Sequence, residues 1–202
     1  ILKPWKNSAI SEMKTISSHN YKIFRWFNIF MGFSPLTPIA ILYFVHITDS
    51  YALATSLFFI SSVGASILEV PTGVLSDFLG RKKTIILGAA TVVVAVLCYA
   101  LADSFLLLAV GAGLEALAGS LFSGNNDALL YESLQQDKKT DLYSHYFGKI
   151  GSLHSIAFGL AALASGFIAN INFVYIAWVS TSTAAIALIC SFFFIEAKVH
   201  TE

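Results

Sequence analysis

From Ile23 to Phe194 the chain is a succession of apolar runs, each long enough to cross a bilayer and each separated from the next by a few polar residues. About 20 predominantly apolar residues, rising 1.5 Å each in a helix, cross roughly 30 Å of hydrocarbon. Six segments meet that requirement: Ile23–Val45, Ala52–Leu75, Thr84–Leu101, Phe105–Asp127, Phe147–Ala169 and Phe173–Phe194. A backbone inside lipid must satisfy its own N–H and C=O groups, so segments of this length are helices rather than strands. Composition agrees, with 56% hydrophobic and 12% charged residues and a mean hydropathy of +0.74. The expected fold is all-α and integral to the membrane.

Orientation follows from the basic residues, which collect on the cytoplasmic side of short loops. All 12 Lys and Arg fall on one side of the six spans. Lys3, Lys6, Lys14, Lys22 and Arg25 precede or open span one; Arg81, Lys82 and Lys83 follow span two. Lys138, Lys139 and Lys149 surround the start of span five, and Lys198 follows span six. The opposite connections carry Asp49 and Asp103 and nothing basic. Both termini are therefore expected in the cytoplasm. Residues 1–22 form an N-terminal segment, 23–194 the transmembrane domain with cytoplasmic loops 76–83 and 128–146, and 195–202 the start of a linker. The net charge of zero suggests no nucleic-acid partner. Cys98 and Cys190 lie within apolar runs and read as small buried hydrophobes.

Three spans carry polar groups that lipid would not tolerate. Span one has Arg25 and Asn28 near its start, then Pro35 and Pro38, which free backbone groups and mark a bend lining a path. Arg25 reads as snorkelling to the headgroups, Asn28 as a helix-packing hydrogen bonder or a site residue. Span two places Ser62, Ser66, Glu69, Gly73 and Asp77 on one helical face, which must meet a helix or a cavity. Glu115 lies ten residues past Phe105, about 15 Å into span four, with Gly111 and Gly119 one turn either side. A carboxylate near the bilayer centre is either tied to a neighbouring helix or a site for substrate or proton. Asp127 and Glu132, in the helical run SGNNDALLYESL, read as interfacial. Span five adds a stripe of small residues, Gly148, Ser152, Ser155, Gly159, Ala162 and Gly166, suited to close helix approach. His154 beside it reads as a packed hydrogen bonder.

Signatures of metallohydrolases, serine hydrolases, phosphate loops and CxxC redox pairs are missing, so the sequence argues for neither enzyme, cofactor nor metal. What it does contain, in GVLSDFLGRKK between spans two and three, is Gly73, Asp77, Gly80, Arg81 and Lys82. This turn resembles motif A of the major facilitator superfamily, and six spans with both ends inside resemble the N-terminal half of such a transporter. The resemblance covers the whole chain and implies secondary transport of a small solute by alternating access, with proton-coupled efflux as one form. It also implies that Asp77 and Arg81, with Gly73, Gly80 and Lys82, form a cytoplasmic gate that clamps two halves together. Spans one and four would line the central cavity; spans two and five would face the other half. Glu115 is the foremost candidate for proton or substrate binding, with Asn28 and Glu69 behind it.

The family pattern is not followed everywhere. Phe78 stands where a basic residue usually follows the aspartate, Glu115 stands where many members carry an arginine, and span five lacks the Gly-Pro antiporter motif. The family has twelve spans, with the site between two halves. The expectation is therefore a fragment of a longer protein whose C-terminal half completes it, in a bacterial inner membrane; a six-span chain pairing with a second copy is the other arrangement. The alternative function is a non-transporting membrane protein that only associates with a partner half.

Overall fold

The computed structural model describes residues 15–197; the expectations that fall on residues 1–14 and 198–202 lie outside them. All regular structure among the described residues is helical: α1 (Ile16–Gly32), α2 (Ala40–Thr48), α3 (Tyr51–Leu79), α4 (Arg81–Ala100), α5 (Phe105–Phe122), α6 (Asn125–Gln136), α7 (Tyr143–Ile171) and α8 (Phe173–Phe192), with single 3₁₀ turns at Thr37–Ile39 and Thr140–Leu142. These make six membrane spans, since α1 and α2 form one bent span and α5 and α6 another. The protein is an integral multi-pass membrane protein.

The bend in span one falls where its prolines place it. α1 ends at Gly32, the Pro35 and Pro38 stretch runs through a 3₁₀ turn, and the helix resumes at Ala40. The break leaves the Leu36 N–H without a helical acceptor, and Ser180 Oγ on α8 accepts it at 2.9 Å. Span four behaves differently from the uninterrupted helix expected. At Gly124 the backbone turns left-handed (φ +71°), a conformation glycine adopts without strain, and α6 starts anew from Asn125. Most of the expected loop 128–146 is therefore helical, as α6 and the first turn of α7.

Packing is organised by α4 and α5, which lie against each other, with α3 along α5, α8 along α4, and α1 between α7 and α8. Two apolar clusters hold the bundle. One gathers Tyr43, Phe44, Leu57, Tyr99, Leu108 and Ile176; the other gathers Phe24, Phe27, Ile85, Leu129, Leu134 and Phe194. In lipid this burial gains little from the hydrophobic effect, so close packing and hydrogen bonds carry the association.

One end of the bundle is stitched by polar contacts across distant parts of the chain. Asn20 at the start of span one donates from Nδ2 to Ser133 Oγ and to the Ile195 carbonyl, both at 2.8 Å, and its Oδ1 accepts from the Ile195 N–H at 2.9 Å. Asp137 after α6 accepts from the Ser17 N–H at 2.7 Å. The beginning of span one, the end of span six, the α3–α4 turn and the α6–α7 connection thus share an end. That is the end on which the basic residues among the described residues lie, the end expected from the sequence to be cytoplasmic.

Candidate functional site

The α3–α4 turn is built around an electrostatic problem. α4 opens with Arg81, Lys82 and Lys83, three cations at the positive end of a helix dipole, with no acidic residue in its first turn and no side-chain cap. The solution arrives from the far end of the chain. Glu196, just beyond α8, accepts the Arg81 N–H on Oε1 and the Lys82 N–H on Oε2, each at 2.8 Å. Gly80 makes room for this: its φ is +88°, and a Cβ there would stand 3.1 Å from Glu196 Oε1. Lys82 thus enters through its backbone N–H.

Arg81 turns its side chain the other way. Its Nη1 donates to Ser76 Oγ at 2.8 Å and Asn125 Oδ1 at 3.2 Å and lies 3.3 Å from Asp77 Oδ1; its Nε lies 3.4 Å from Glu132 Oε1. Ser76 Oγ also donates to Asn125 Oδ1. The turn therefore joins α3, α4, α6 and the segment after α8. Glu132, read from the sequence as interfacial, is Arg81's more buried carboxylate, for its side chain is 23% exposed and that of Asp77 72%. Asp77, Phe78 and Gly73 all remain exposed, and nothing lies within 4 Å of a Cβ placed on Gly73.

Glu115 occupies different surroundings. It borders a cavity of about 240 Å³ between spans one, three, four and six, lined among others by Phe30, Ser34, Thr37, Ser180 and Thr183. Tyr99 on α4 donates its hydroxyl to Glu115 Oε2 at 2.8 Å. Tyr99 is itself fixed, its ring packed 5.0 Å from that of Phe44 and its carbonyl accepting from Tyr43 Oη at 2.8 Å. Gly111 admits the Tyr99 ring, since a Cβ there would lie 2.5 Å from Tyr99 Cε1.

Glu69 accepts from Ser123 Oγ at 3.1 Å, at the point where span four breaks. It lies in a shallow cavity of about 250 Å³ between α3 and α5 that shares Gly119 with the Glu115 cavity, so the two carboxylates flank the same stretch of span four. Asn28 is elsewhere. Its Nδ2 donates to the Phe24 carbonyl of its own helix at 3.0 Å, and it lines a third cavity with Asn126, Asp127 and His154. The sequence-derived trio of Glu115, Asn28 and Glu69 is thus one adjacent pair and one separate residue. Arg25, expected to snorkel, is exposed and rests over the Tyr21 ring at 5.9 Å.

The residues missed from the sequence are Tyr99, Ser76, Asn125 and Glu196. Only Glu196 left a local trace, because three basic residues at a helix start call for an anion from outside that helix.

Comparison with known proteins agrees with this architecture. A family model described as Major Facilitator Superfamily matches residues 26–202. A curated relative, the MFS-type efflux pump MMF1 of the fungus Pseudozyma antarctica (strain T-34), is 26% identical over 127 residues, covering 63% of this chain and 23% of the relative. The match therefore spans less than a quarter of that relative's length. With a six-span helical bundle, a glycine-basic turn between spans two and three, and a family match from the first span onward, the chain belongs to the Major Facilitator Superfamily.

Proposed function

We propose that the chain is one half of a secondary active transporter that moves a small solute by alternating access, with Glu115 as the carboxylate that takes up and releases a proton. The observation that carries this is the setting of Glu115. A carboxylate at the centre of a span costs roughly 2.5–3.5 kcal/mol on insertion scales, and one charge-assisted hydrogen bond returns about 1.5–3 kcal/mol. Glu115 has that one bond, from Tyr99, and otherwise opens on a cavity. A structural carboxylate would be enclosed by donors. One held by a single hydroxyl can be protonated without dismantling its surroundings.

The cytoplasmic gate is assigned to Gly73, Asp77, Gly80, Arg81 and Lys82, with Glu132 and Glu196 added. Asp77 faces outward while Arg81 is anchored inward, which suits a carboxylate that meets a helix of the second half. The exposed stripes on α3 and α7 suit the same partner, either a second six-span unit or a second copy. Efflux is the direction suggested, since the relative's printed name says efflux.

The test is Glu115→Gln in the complete two-half protein, assayed for solute movement driven by a pH gradient in proteoliposomes. Coupled transport is lost at unchanged membrane expression. Wild-type transport by that variant defeats the proton-site assignment. Reconstitution of this chain with its partner half, if inert to every solute tried, favours the reading as a non-transporting protein that only associates with a partner.

A further inference from the structure

We propose that the cavity beside the start of α6 binds a small organic ammonium ion, with Asp127 as its counter-ion. The cavity, open on one side where Asp127 is exposed, measures about 360 Å³ between α1, α6 and α7, and its polar lining is Asn28, Asn126, Asp127, His154 and Ser155. The volume lies within the range of small-molecule sites. Asn28, Asn126, Asp127 and Ser155 each present an acceptor there. Asn28 donates one Nδ2 hydrogen to the Phe24 carbonyl, and its Oδ1 can accept. Ser155 spends its proton on the Gly151 carbonyl at 3.0 Å, leaving its lone pairs. Asn126 Oδ1 is buried with no hydrogen-bond partner among the described residues, a costly condition unless something fills it. His154 Nδ1, pressed against α1 at Gly32, is the second buried atom without a partner.

Asp127 gives the site its sign. Among the described residues it has neither a hydrogen bond nor an ion pair, and no Lys or Arg lines the cavity. It is the third residue of α6, in the first turn, where the positive end of the helix dipole attracts a carboxylate. An anionic solute would meet an uncompensated negative charge, and a neutral one would leave that charge unused. A metal ion is disfavoured by the ligands, because no cluster of three or more His, Cys, Asp or Glu occurs among the described residues. A donor-bearing cation matches both the charge and the acceptors.

Its organic part is suggested by the remaining walls. Phe24, Leu130, Phe147 and Ile150 are apolar. Phe147 ends an aromatic ladder in which Tyr131 meets Tyr143 edge-on at 5.6 Å and Tyr143 stacks on Phe147 at 5.6 Å. Aromatic faces attract cations, more so where water is thinned. The site is separate from that of Glu115, and its biological sense, though not its binding chemistry, rests on the transporter reading.

The test is equilibrium binding of 2-phenylethylammonium to the full chain in lipid nanodiscs, beside the neutral 2-phenylethanol and the quaternary N,N,N-trimethyl derivative. Saturable binding of the ammonium is expected, with the alcohol and the quaternary ion each weaker by about tenfold or more. Asp127→Asn is expected to weaken ammonium binding by about tenfold or more, Asn126→Asp to tighten it severalfold, and Glu115→Gln to leave it within about twofold. No saturable ammonium binding, equal binding of the alcohol, or indifference to both the Asp127 and Asn126 changes overturns the proposal. Should Asp127→Asn fail to fold, Asn126→Asp decides alone: a failure to tighten binding rejects the site. Ammonium binding by a chain that moves nothing with its second half leaves this site standing and defeats the transporter reading; transport abolished by Glu115→Gln in a chain without saturable ammonium binding does the reverse.

Discussion

α3 and α4 are consecutive spans, both apolar enough to cross a membrane and joined through the single residue Gly80, yet they are used in opposite ways. Only 11% of the apolar window of α3 is buried, against 44% of that of α4, and α7 at 17% sides with α3. Small residues explain the difference. On α4 and α5 two glycines are filled from outside: a Cβ on Gly88 would lie 2.8 Å from Phe122 Cε1, and one on Gly111 would lie 2.5 Å from Tyr99 Cε1, whereas Gly113 on α5 has nothing within 4 Å. On α3 and α7, Gly73, Gly148, Gly159 and Gly166 have nothing within 4 Å. Exposed Leu or Phe on a span is ordinary, since lipid accepts it. An exposed row of Gly, Ser, Glu and Asp is not. The same residue types therefore close the bundle where helices meet, as Gly64 of α3 does against Ala116 at 2.8 Å, and leave a surface open along the outer faces of α3 and α7.

The strongest way to break this contrast is Gly111→Leu. The added side chain meets the Tyr99 ring and, at 3.1 Å from the Cβ position, the Ala95 carbonyl, and neither can move without opening the α4–α5 seam. Overpacking of this kind costs about 1–3 kcal/mol and more where backbone is struck. We expect thermal unfolding of the purified chain in detergent to fall by several degrees, or monodisperse protein to be lost. Wild-type melting of Gly111→Leu would show that α4 and α5 are not the rigid pair.

A smaller effect is expected at the stitched end. Glu196→Ala removes both acceptors from the Arg81 and Lys82 N–H groups and takes a carboxylate from the start of α4, where Arg81 keeps Asp77 and Glu132. Losing a cap and its charge together costs about 1–2 kcal/mol, measured as a lower unfolding midpoint. Asp77→Asn, at a side chain 72% exposed, should change the midpoint by less than about 0.5 kcal/mol while weakening assembly of the two halves. If Asp77→Asn cost more than Glu196→Ala, the inward and outward roles assigned to the two carboxylates would have to be exchanged.

What the sequence made legible was whatever a single helix expresses by itself. The six spans, the proline bend and the two stripes follow from length and from helical periodicity, and the structure keeps each of them. The break at Gly124 was invisible because SGNNDALLYESL has helical character on both sides of one glycine, and only the left-handed backbone there separates α5 from α6. Tyr99 and Glu115 belong to different spans and pair only once α4 is packed on α5. Glu196 lies 115 residues from Arg81 and Asn20 lies 175 from Ile195, so no local pattern could announce either contact. Glu115, Glu69 and Asn28, each singled out for its polarity, border three cavities, of which the first two share Gly119, and only the packed bundle shows that relation.

The least effect on the fold, and the sharpest test of the comparison, belongs to Gly159→Leu on α7. With nothing within 4 Å of the new Cβ, the substitution meets open space, and leucine favours a helix over glycine by about 0.8 kcal/mol. The midpoint of the isolated chain should therefore stay level or rise slightly. Assembly should respond differently, because a leucine in the middle of a small-residue stripe holds an opposing backbone several ångströms away, and close backbone approach is the main source of helix association in lipid. Measured by co-purification of the tagged chain with its second half, or with an untagged copy of itself, pairing should be lost while melting is preserved. A fall in melting like that of Gly111→Leu would mean that α7 is packed within this half after all. Unchanged pairing would turn the stripe towards lipid and leave α3, with Asp77 at its end, as the face on which the partner rests.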